Sequence, residues 1–336
     1  ALAFRLLGPA PEVLEAAWTY YGVRIWAAPA ALANFALIGW FIGRQNTRAP
    51  LVIMLVTNLA NIVLSVLFVV GLGYRTGGVA AASVVAETAG LGVAAWLARA
   101  ALADTSGAFA WSRILDPVAL RRVLGVNANL FVRTLSLMFV FGFITAQGAR
   151  MGTAILAAHA ILLQFQYLMS YGLDGFAHAA EALAGRAVGE RNPGGFRQAV
   201  RRSLVWSAAV AVGYALIFAL SGKQIIELLT DQPELRDLAK AFLPWIVVSP
   251  LVSFWSFLGD GVFVGATWAD AMRNTMLVSA FAVFVPAFYM TQAAGLGNHG
   301  LWLSFLAFMA ARAATMFMVY RRRAPRLFPE PLPAAI

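Results

Sequence analysis

The sequence predicts an all-α polytopic membrane protein with nine transmembrane helices, arranged as three followed by six. Three observations predict it. Of the 336 residues, 61% are hydrophobic and 12% charged, against about 25% charged in an ordinary soluble domain. The apolar residues come in blocks of about 20 with almost no charge, the length that crosses a bilayer's hydrocarbon core. The basic residues sit singly or in small groups between those blocks, the pattern of loops that face the cytoplasm. A soluble enzyme is thereby excluded. The formal net charge of +10 becomes a topology signal, and no nucleic-acid partner is expected. With no cysteine in the chain, disulfides, thiolate metal sites and thiol chemistry are excluded as well.

The spans are all helices, because an open sheet edge would leave backbone groups unpaired in lipid and the segments are too long for barrel strands. The first, Tyr20–Ile42, carries Pro29 early. The second, Pro50–Leu72, holds Asn58, Asn61 and Ser65 on one face. The third, Gly78–Leu102, holds Ser83 and Glu87 on one face, and Glu87 is the one carboxylate well inside this bundle. Amides and hydroxyls bind hard cations through oxygen, but they also join helices; without a nearby carboxylate the joining role leads. The fourth span, Asn129–Gln147, has Arg133 with Asn129 and Ser136 on its face, and Arg133 is expected to neutralise a buried acid or carbonyl.

The fifth span, Thr153–Ala180, is the richest. Gln164, Tyr167, Tyr171, Asp174, His178 and Glu181 follow at steps of three and four, one continuous helical stripe. It reads either as the wall of an aqueous cavity, with Asp174 and Glu181 titrating or binding cations, or as a hydrogen-bonded seam between helices. The sixth span, Ala199–Leu220, rests on apolar length. In the seventh, Ala241–Val264, Ser249, Ser253, Ser256 and Asp260 repeat the stripe just after the kink-prone Pro250. Asp260 has either a transport role or Arg273 or Arg44 as a partner. Asn274–Ala294 and Gly300–Tyr320 complete the set, the last with Arg312 as a second candidate neutraliser. His159 reads as a packed, hydrogen-bonded histidine, and no third ligand joins His178 and Glu181 in a metal site, so none is expected.

Alternate loops hold unequal numbers of Lys and Arg. One side has sixteen, from Arg44 and Arg48 through Arg99, Arg113, Arg121 and Arg122, Arg186 to Arg202, Arg273 and the tail. The other has seven: Arg5, Arg24, Arg75, Arg150, Lys223, Arg236 and Lys240. The excess places the C-terminus in the cytoplasm and the N-terminus of the chain outside. The polar stretch with Asp104, Ser106, Gly107, Asp116 and Pro117 reads as an inner linker. The predicted organisation is therefore a partial amino lobe over 1–102, a linker over 103–127, a carboxyl lobe over 128–324 and a tail over 325–336.

An internal repeat underlies this division. Shifted by 222 residues, Gly39–Arg99 aligns with Gly261–Arg321 without a gap, and thirteen of 61 pairs are identical. The pairs include Gly39/Gly261, Gly43/Gly265, Gly73/Gly295 and Gly78/Gly300, where small residues have a packing reason. Three spans precede the repeated trio in the second bundle, but only nineteen residues precede it in the first. About three further spans are therefore expected upstream, as in transporters built from parallel repeats. No stretch near Ala1 resembles a cleaved signal peptide.

Several motifs resemble one family. Tyr20-Tyr21-Gly-Val-Arg24-Ile-Trp26-Ala-Ala-Pro29 with Gly39-Trp40-Phe-Ile-Gly43-Arg-Gln45-Asn46 is similar to the fourth span and following loop of MATE (multidrug and toxic compound extrusion) transporters, in the DNA-damage-inducible F-like branch. Thr57-Asn58-Leu-Ala-Asn61-Ile-Val-Leu-Ser65 resembles its fifth span, Leu173-Asp174-Gly175-Phe176-Ala177-His-Ala-Ala-Glu181 its eighth, and Gly259-Asp260-Gly261-Val-Phe263-Val-Gly265-Ala266-Thr267 its tenth. The resemblance covers essentially the whole chain. It implies a twelve-helix, two-lobe fold with a pseudo-two-fold repeat, of which spans one to three would lie before Ala1.

It also implies an exporter of amphipathic or cationic organic compounds, driven by sodium or proton entry, with no cofactor beyond that ion. The expected setting is a bacterial inner membrane, and the expected state a monomer. Two departures stand out. The family's first-span aspartate is not in this chain, and its fifth-span acid is Ser65. Asn61, Ser65 and Ser83 would then be remnants of an amino-lobe cation site without its charge. The alternatives are a flippase for lipids or lipid-linked precursors, and a truncated membrane protein that does not transport. No phosphate-binding loop for ATP, no His-Glu-x-x-His pattern and no arginine ladder is present in the sequence, and no ring of like charges marks a channel.

Overall fold

The computed structural model describes residues 11–103 and 111–328. Arg5, Asp104, Ser106 and Gly107 of the sequence reading, and residues 329–336 of the expected tail, lie outside these described residues. Among the described residues there is no strand, and nine helices are long and apolar enough to cross a membrane. They are α1 (Leu14–Gly43), α2 (Arg48–Gly71), α3 (Arg75–Ala103), α4 (Pro117–Met151), α5 (Thr153–Gly189), α6 (Pro193–Leu229), α7 (Pro233–Gly265), α8 (Ala269–Ala293) and α9 (Gly297–Arg326).

Two of the helices begin at a side-chain cap followed by proline. Asp116 caps α4 by accepting the Val118 N–H at 3.0 Å, with Pro117 in the first turn. Asn192 does the same for α6, accepting the Gly195 N–H at 2.8 Å ahead of its own proline. These starts lie twelve and six residues before the apolar blocks read at Asn129 and Ala199, so these helices outrun the spans read from hydropathy. α4 begins at Pro117, inside the stretch read as a linker over 103–127. Pro250 does not break α7, which runs through both Pro244 and Pro250.

The chain falls into two compact units, 1–110 and 111–336. In the first, α1 and α2 pack on α3 around Phe41, Ala49, Ile53, Ala94 and Ala98. The Ala- and Gly-rich face of α3 is what lets them approach: a Cβ at Gly90 would overlap the Thr57 hydroxyl. The second unit holds α4 to α9. Its tightest crossing is between α5 and α7, where a Cβ at Gly261 would overlap the Ala177 carbonyl oxygen and one at Gly265 would lie 2.5 Å from that of Glu181. Gly261 and Gly265, one turn apart and both matched in the repeat, thus form the contact surface of α7.

The repeat recurs in the backbone. Residues with positive φ occur in pairs at the same shift of 222: Gln45 and Thr267 at 60° and 59°, Gly73 and Gly295 at 71° and 74°, Arg75 and Gly297 at 37° and 50°. The α1–α2 and α7–α8 turns share their hydrogen bonds as well. Gln45 and Asn46 donate to Ile42 and Phe41, and Thr267 and Trp268 donate to the matching Val264 and Phe263. A left-handed residue costs a non-glycine side chain about 1–2 kcal/mol. The same cost taken at the same register in both trios marks them as two copies of one helix–turn–helix design.

Candidate functional site

The second unit contains a cavity of about 260 Å³ whose wall is drawn from four helices. From α4 come Arg133, Leu137 and Phe141; from α5, Gln166, Tyr167, Ser170 and Asp174. Phe257 and Asp260 of α7 and Met309 and Arg312 of α9 close it. Four charged groups share this space. Arg133 and Arg312 both donate to the same oxygen, Oδ2 of Asp260, the second at 2.9 Å. Arg312 is only 2% exposed. A guanidinium that deep is stable only with its charge and donors matched, because an unpaired buried ion costs several kcal/mol.

Asp174 is placed differently. Its one hydrogen bond is from the Ser170 hydroxyl, a turn earlier on α5, at 3.4 Å, and it makes no ion pair among the described residues. With all four groups ionised the cavity is neutral: Asp260 and its two arginines carry +1, and Asp174 balances them. A cation or a proton on Asp174 would leave the cavity positive. The one carboxylate free to take a ligand is therefore also the one that sets the sign of the cavity.

The α5 stripe divides. Tyr167 and Asp174 line the cavity, but Gln164, Tyr171, His178 and Glu181 do not. At 100° per residue, Ser170 and Gln166 lie about 40° and 80° to one side of Asp174, while Tyr171 and Gln164 lie about 60° and 80° to the other. The lining face is centred toward Gln166, and steps of three and four alone do not fix that phase. Tyr171 is 74% exposed. His178 and Glu181 pair with each other instead, Nδ1 to Oε2 at 3.5 Å. Among the described residues no group of three metal-ligating side chains occurs.

The α7 stripe also divides. Asp260 lines the cavity; Ser253 and Ser256 do not. Ser256 donates to the Ser253 carbonyl of its own helix at 2.7 Å, and Ser249 alone of these serines bonds across to α5, donating to Gln166 Oε1 at 2.9 Å. Arg273, in the same unit, does not reach Asp260, since it is taken by Asn129 and Asn274; Arg44 belongs to the first unit, where it lies over the Trp40 ring. The expectation that Arg133 and Arg312 neutralise an acid holds, and Asp260 is the acid for both. Gln166 and Ser170 are the polar wall residues that sequence reasoning missed, along with the apolar Leu137, Phe141, Phe257 and Met309; the signal for the two polar ones was their place eight and four residues before Asp174. His159 is buried and bonded to Asn298 Oδ1 at 2.7 Å, as a packed histidine should be.

In the first unit the polar residues join helices. Asn61 donates to Ser83 Oγ at 2.9 Å, between α2 and α3, and Ser83 donates on to the Val79 carbonyl. Asn58 donates to its own helix, at the Met54 carbonyl. Ser65 Oγ is buried without a partner. Glu87 of α3 belongs to a separate cluster with α1, with Arg24 at 3.6 Å and Asn34 donating to its carboxylate at 3.1 Å. No carboxylate therefore faces the Asn61–Ser83 pair among the described residues.

Comparison with known proteins agrees with this architecture. The MatE family profile matches residues 2–67 and 130–290. The DNA damage-inducible protein F of Escherichia coli (strain K12) is 38% identical over 321 residues, which cover 96% of this chain and 69% of that protein. Protein DETOXIFICATION 43 of Arabidopsis thaliana is 26% identical over 310 residues, 91% of this chain and 57% of its own length. The chain thus spans little more than half of the plant relative. Among solved structures, a MOP superfamily transporter from Pyrococcus furiosus superposes with a TM-score of 0.88 at 20% identity, covering 97% of this chain and 73% of that one; a likeness at that identity is one of fold.

Proposed function

The chain belongs to the MatE family, whose members are secondary transporters and not enzymes, and from that premise we propose that it carries the binding cavity of an exporter for amphipathic, cationic organic compounds. The observation that carries the reading is Asp174, a carboxylate without an ion-pair partner in a cavity where the other acid is held by two arginines. A cationic substrate pairs directly with Asp174, the carboxylate that has no ion-pair partner, and Tyr167, Phe141, Phe257 and Met309 offer its apolar part a soft, aromatic wall. A proton or a sodium ion competes for the same carboxylate. Entry of that ion neutralises Asp174, removes the organic cation's counter-charge and expels it, which is the exchange an antiporter needs. Alternating access then exposes the site to each side of the membrane in turn.

The test joins the chain downstream of spans one to three of the Escherichia coli relative and reconstitutes it in liposomes with an imposed sodium or proton gradient. Gradient-driven ethidium efflux is expected, and Asp174→Asn is expected to remove at least nine-tenths of it while leaving the protein's yield unchanged. Unchanged efflux and unchanged pH dependence in Asp174→Asn would return Asp174 to the role of a helix-joining residue.

A further inference from the structure

A second cavity lies far from Asp174 in sequence and chemistry, at the arginine-rich ends of α6 and α9. Its volume is about 490 Å³, and its wall includes Phe196 and Arg197 from the first turns of α6 and Tyr320, Arg321, Pro325 and Phe328 from the end of α9 and the segment after it. The two halves of the wall differ. Phe196, 1% exposed, stacks on Tyr320 with centroids 6.3 Å apart and an interplanar angle of 22°, and meets Phe328 edge-on at 5.7 Å. Arg197 and Arg321 lie exposed beside this aromatic floor.

The acids of this rim are already used. Asp270 holds Arg323 through both oxygens, at 2.7 and 2.9 Å, and Glu190 holds Arg186 at 2.6 Å. That leaves Arg197, Arg201, Arg202, Arg321, Arg322 and Arg326 without a carboxylate partner among the described residues. Only Arg197 and Arg321 of these line the cavity. The positive end of the α6 dipole points the same way, since the helix starts four residues before Arg197. An occupant must therefore bring negative charge to the mouth and apolar surface to the floor, at the level where a span leaves the hydrocarbon. Free phosphate meets the first demand and not the second.

We propose that this cavity binds an anionic phospholipid, its headgroup phosphate between Arg197 and Arg321 and its glycerol and upper acyl carbons against Phe196, Tyr320 and Phe328. The site is separate from the transport cavity and independent of which substrate or ion that cavity takes. It also ties the segment after α9 to α6 through a bound lipid, so the lipid stabilises the end of the bundle.

The test is native mass spectrometry of the purified chain after equilibration with equimolar dioleoyl phosphatidylglycerol and dioleoyl phosphatidylcholine. Two interfacial guanidiniums acting together imply retention of phosphatidylglycerol in about tenfold excess or more. The double variant Arg197→Gln/Arg321→Gln is expected to lose that excess, whereas Arg201→Gln/Arg322→Gln, with the same change of net charge, keeps it. Phe328→Ala, which changes no charge, is expected to lower retention about threefold or more by removing one apolar wall. Equal losses in the two arginine pairs would mean diffuse attraction and overturn the proposal. So would full displacement of the lipid by inorganic phosphate at about 10 mM, which would make this a free-anion site. A tenfold rise in retention on deleting residues 329–336 would overturn it too, by showing the chain's own tail as the occupant.

Discussion

Arg312 reaches across from α9 to Asp260 on α7, its Nη2 2.9 Å from Oδ2, and meets there the guanidinium of Arg133 from α4 on the same oxygen. One carboxylate thus joins three helices of the second unit. The first unit has a comparable clasp with the signs exchanged: Glu87 on α3 holds Arg24 and Asn34 of α1. In the repeat register Glu87 matches Met309 and Gly90 matches Arg312, so the acid of one trio and the base of the other lie one turn apart on equivalent helices. The scaffold was copied, and the charges on it were not.

The clasp predicts an asymmetry between its members. Asp260→Asn strands two guanidiniums in low dielectric and is expected to cost about 3–5 kcal/mol. Arg312→Met leaves Asp260 paired with Arg133 and fills the space with an apolar chain, so it should cost no more than about 2 kcal/mol. Thermal unfolding in detergent ranks the two; an Asp260→Asn protein as stable as Arg312→Met would mean that the arginines find other partners.

Gly261 predicts a steric effect. An alanine there must push α7 from the Ala177 carbonyl, and the separation outweighs the gain in helix propensity of about 1 kcal/mol. Gly261→Ala should lower the melting temperature by about 2–8 °C, as a loss of one to two kcal/mol does in a chain this large. Gly175→Ala, with nothing within 4 Å, should leave it unchanged or raise it. Gly39, the repeat mate of Gly261, also has nothing within 4 Å. Gly39→Ala should therefore be neutral in this chain and destabilising once spans from the Escherichia coli relative are joined upstream.

Gln166 predicts a binding effect. Its Oε1 accepts from Ser249, and its Nε2, buried and unpartnered, lies in the cavity wall. An unsatisfied donor of this kind favours a ligand that brings an acceptor. Gln166→Leu should raise the half-saturating substrate concentration about five- to tenfold, the worth of one hydrogen bond, and leave the ion dependence of transport as it was. Equal half-saturation in both proteins would show that the substrate does not reach this end of the cavity.

These sites were unevenly legible in the sequence. Nine spans were, because bilayer thickness sets one length for all of them. The repeat was, through Gly73/Gly295 and Gly78/Gly300, and it carried with it the turn at Gln45 and Thr267, where no glycine gives the left-handed residue away. Arg133 and Arg312 could be read as partners of an acid, since an arginine at that depth requires one. Which acid could not be read, because the meeting of α4, α7 and α9 on one Asp260 oxygen is set by helix rotation over separations of 127 and 52 residues. Gln164 and Gln166 show the same limit within one helix: both are polar and both are near the stripe, and only the packing of α5 against α7 decides which faces the cavity.

The last prediction concerns sodium and the first unit. A tight sodium site needs five or six oxygens and usually a carboxylate, since removing the ion from water costs several kcal/mol unless charge compensates it. Around Asn61 the first unit offers the Ser83 hydroxyl, already donating to Val79, and the buried, unpartnered Ser65 oxygen. Glu87 is committed to Arg24 and Asn34 and supplies no free charge. The chain by itself is therefore expected to bind sodium more weakly than about 1 mM, equivalent to about 4 kcal/mol at most, and to show no ion-coupled efflux in liposomes. Joining spans one to three of the Escherichia coli relative upstream should restore coupling, and Ser65→Asp, which returns an acid one turn after Asn61, should tighten sodium binding in the joined protein by about tenfold or more. Radioactive sodium binding on the purified chain decides the first part. Micromolar affinity there, or gradient-driven efflux by the chain alone, would place the coupling ion at Asp174 and leave Asn61, Ser65 and Ser83 as residues that hold α2 to α3.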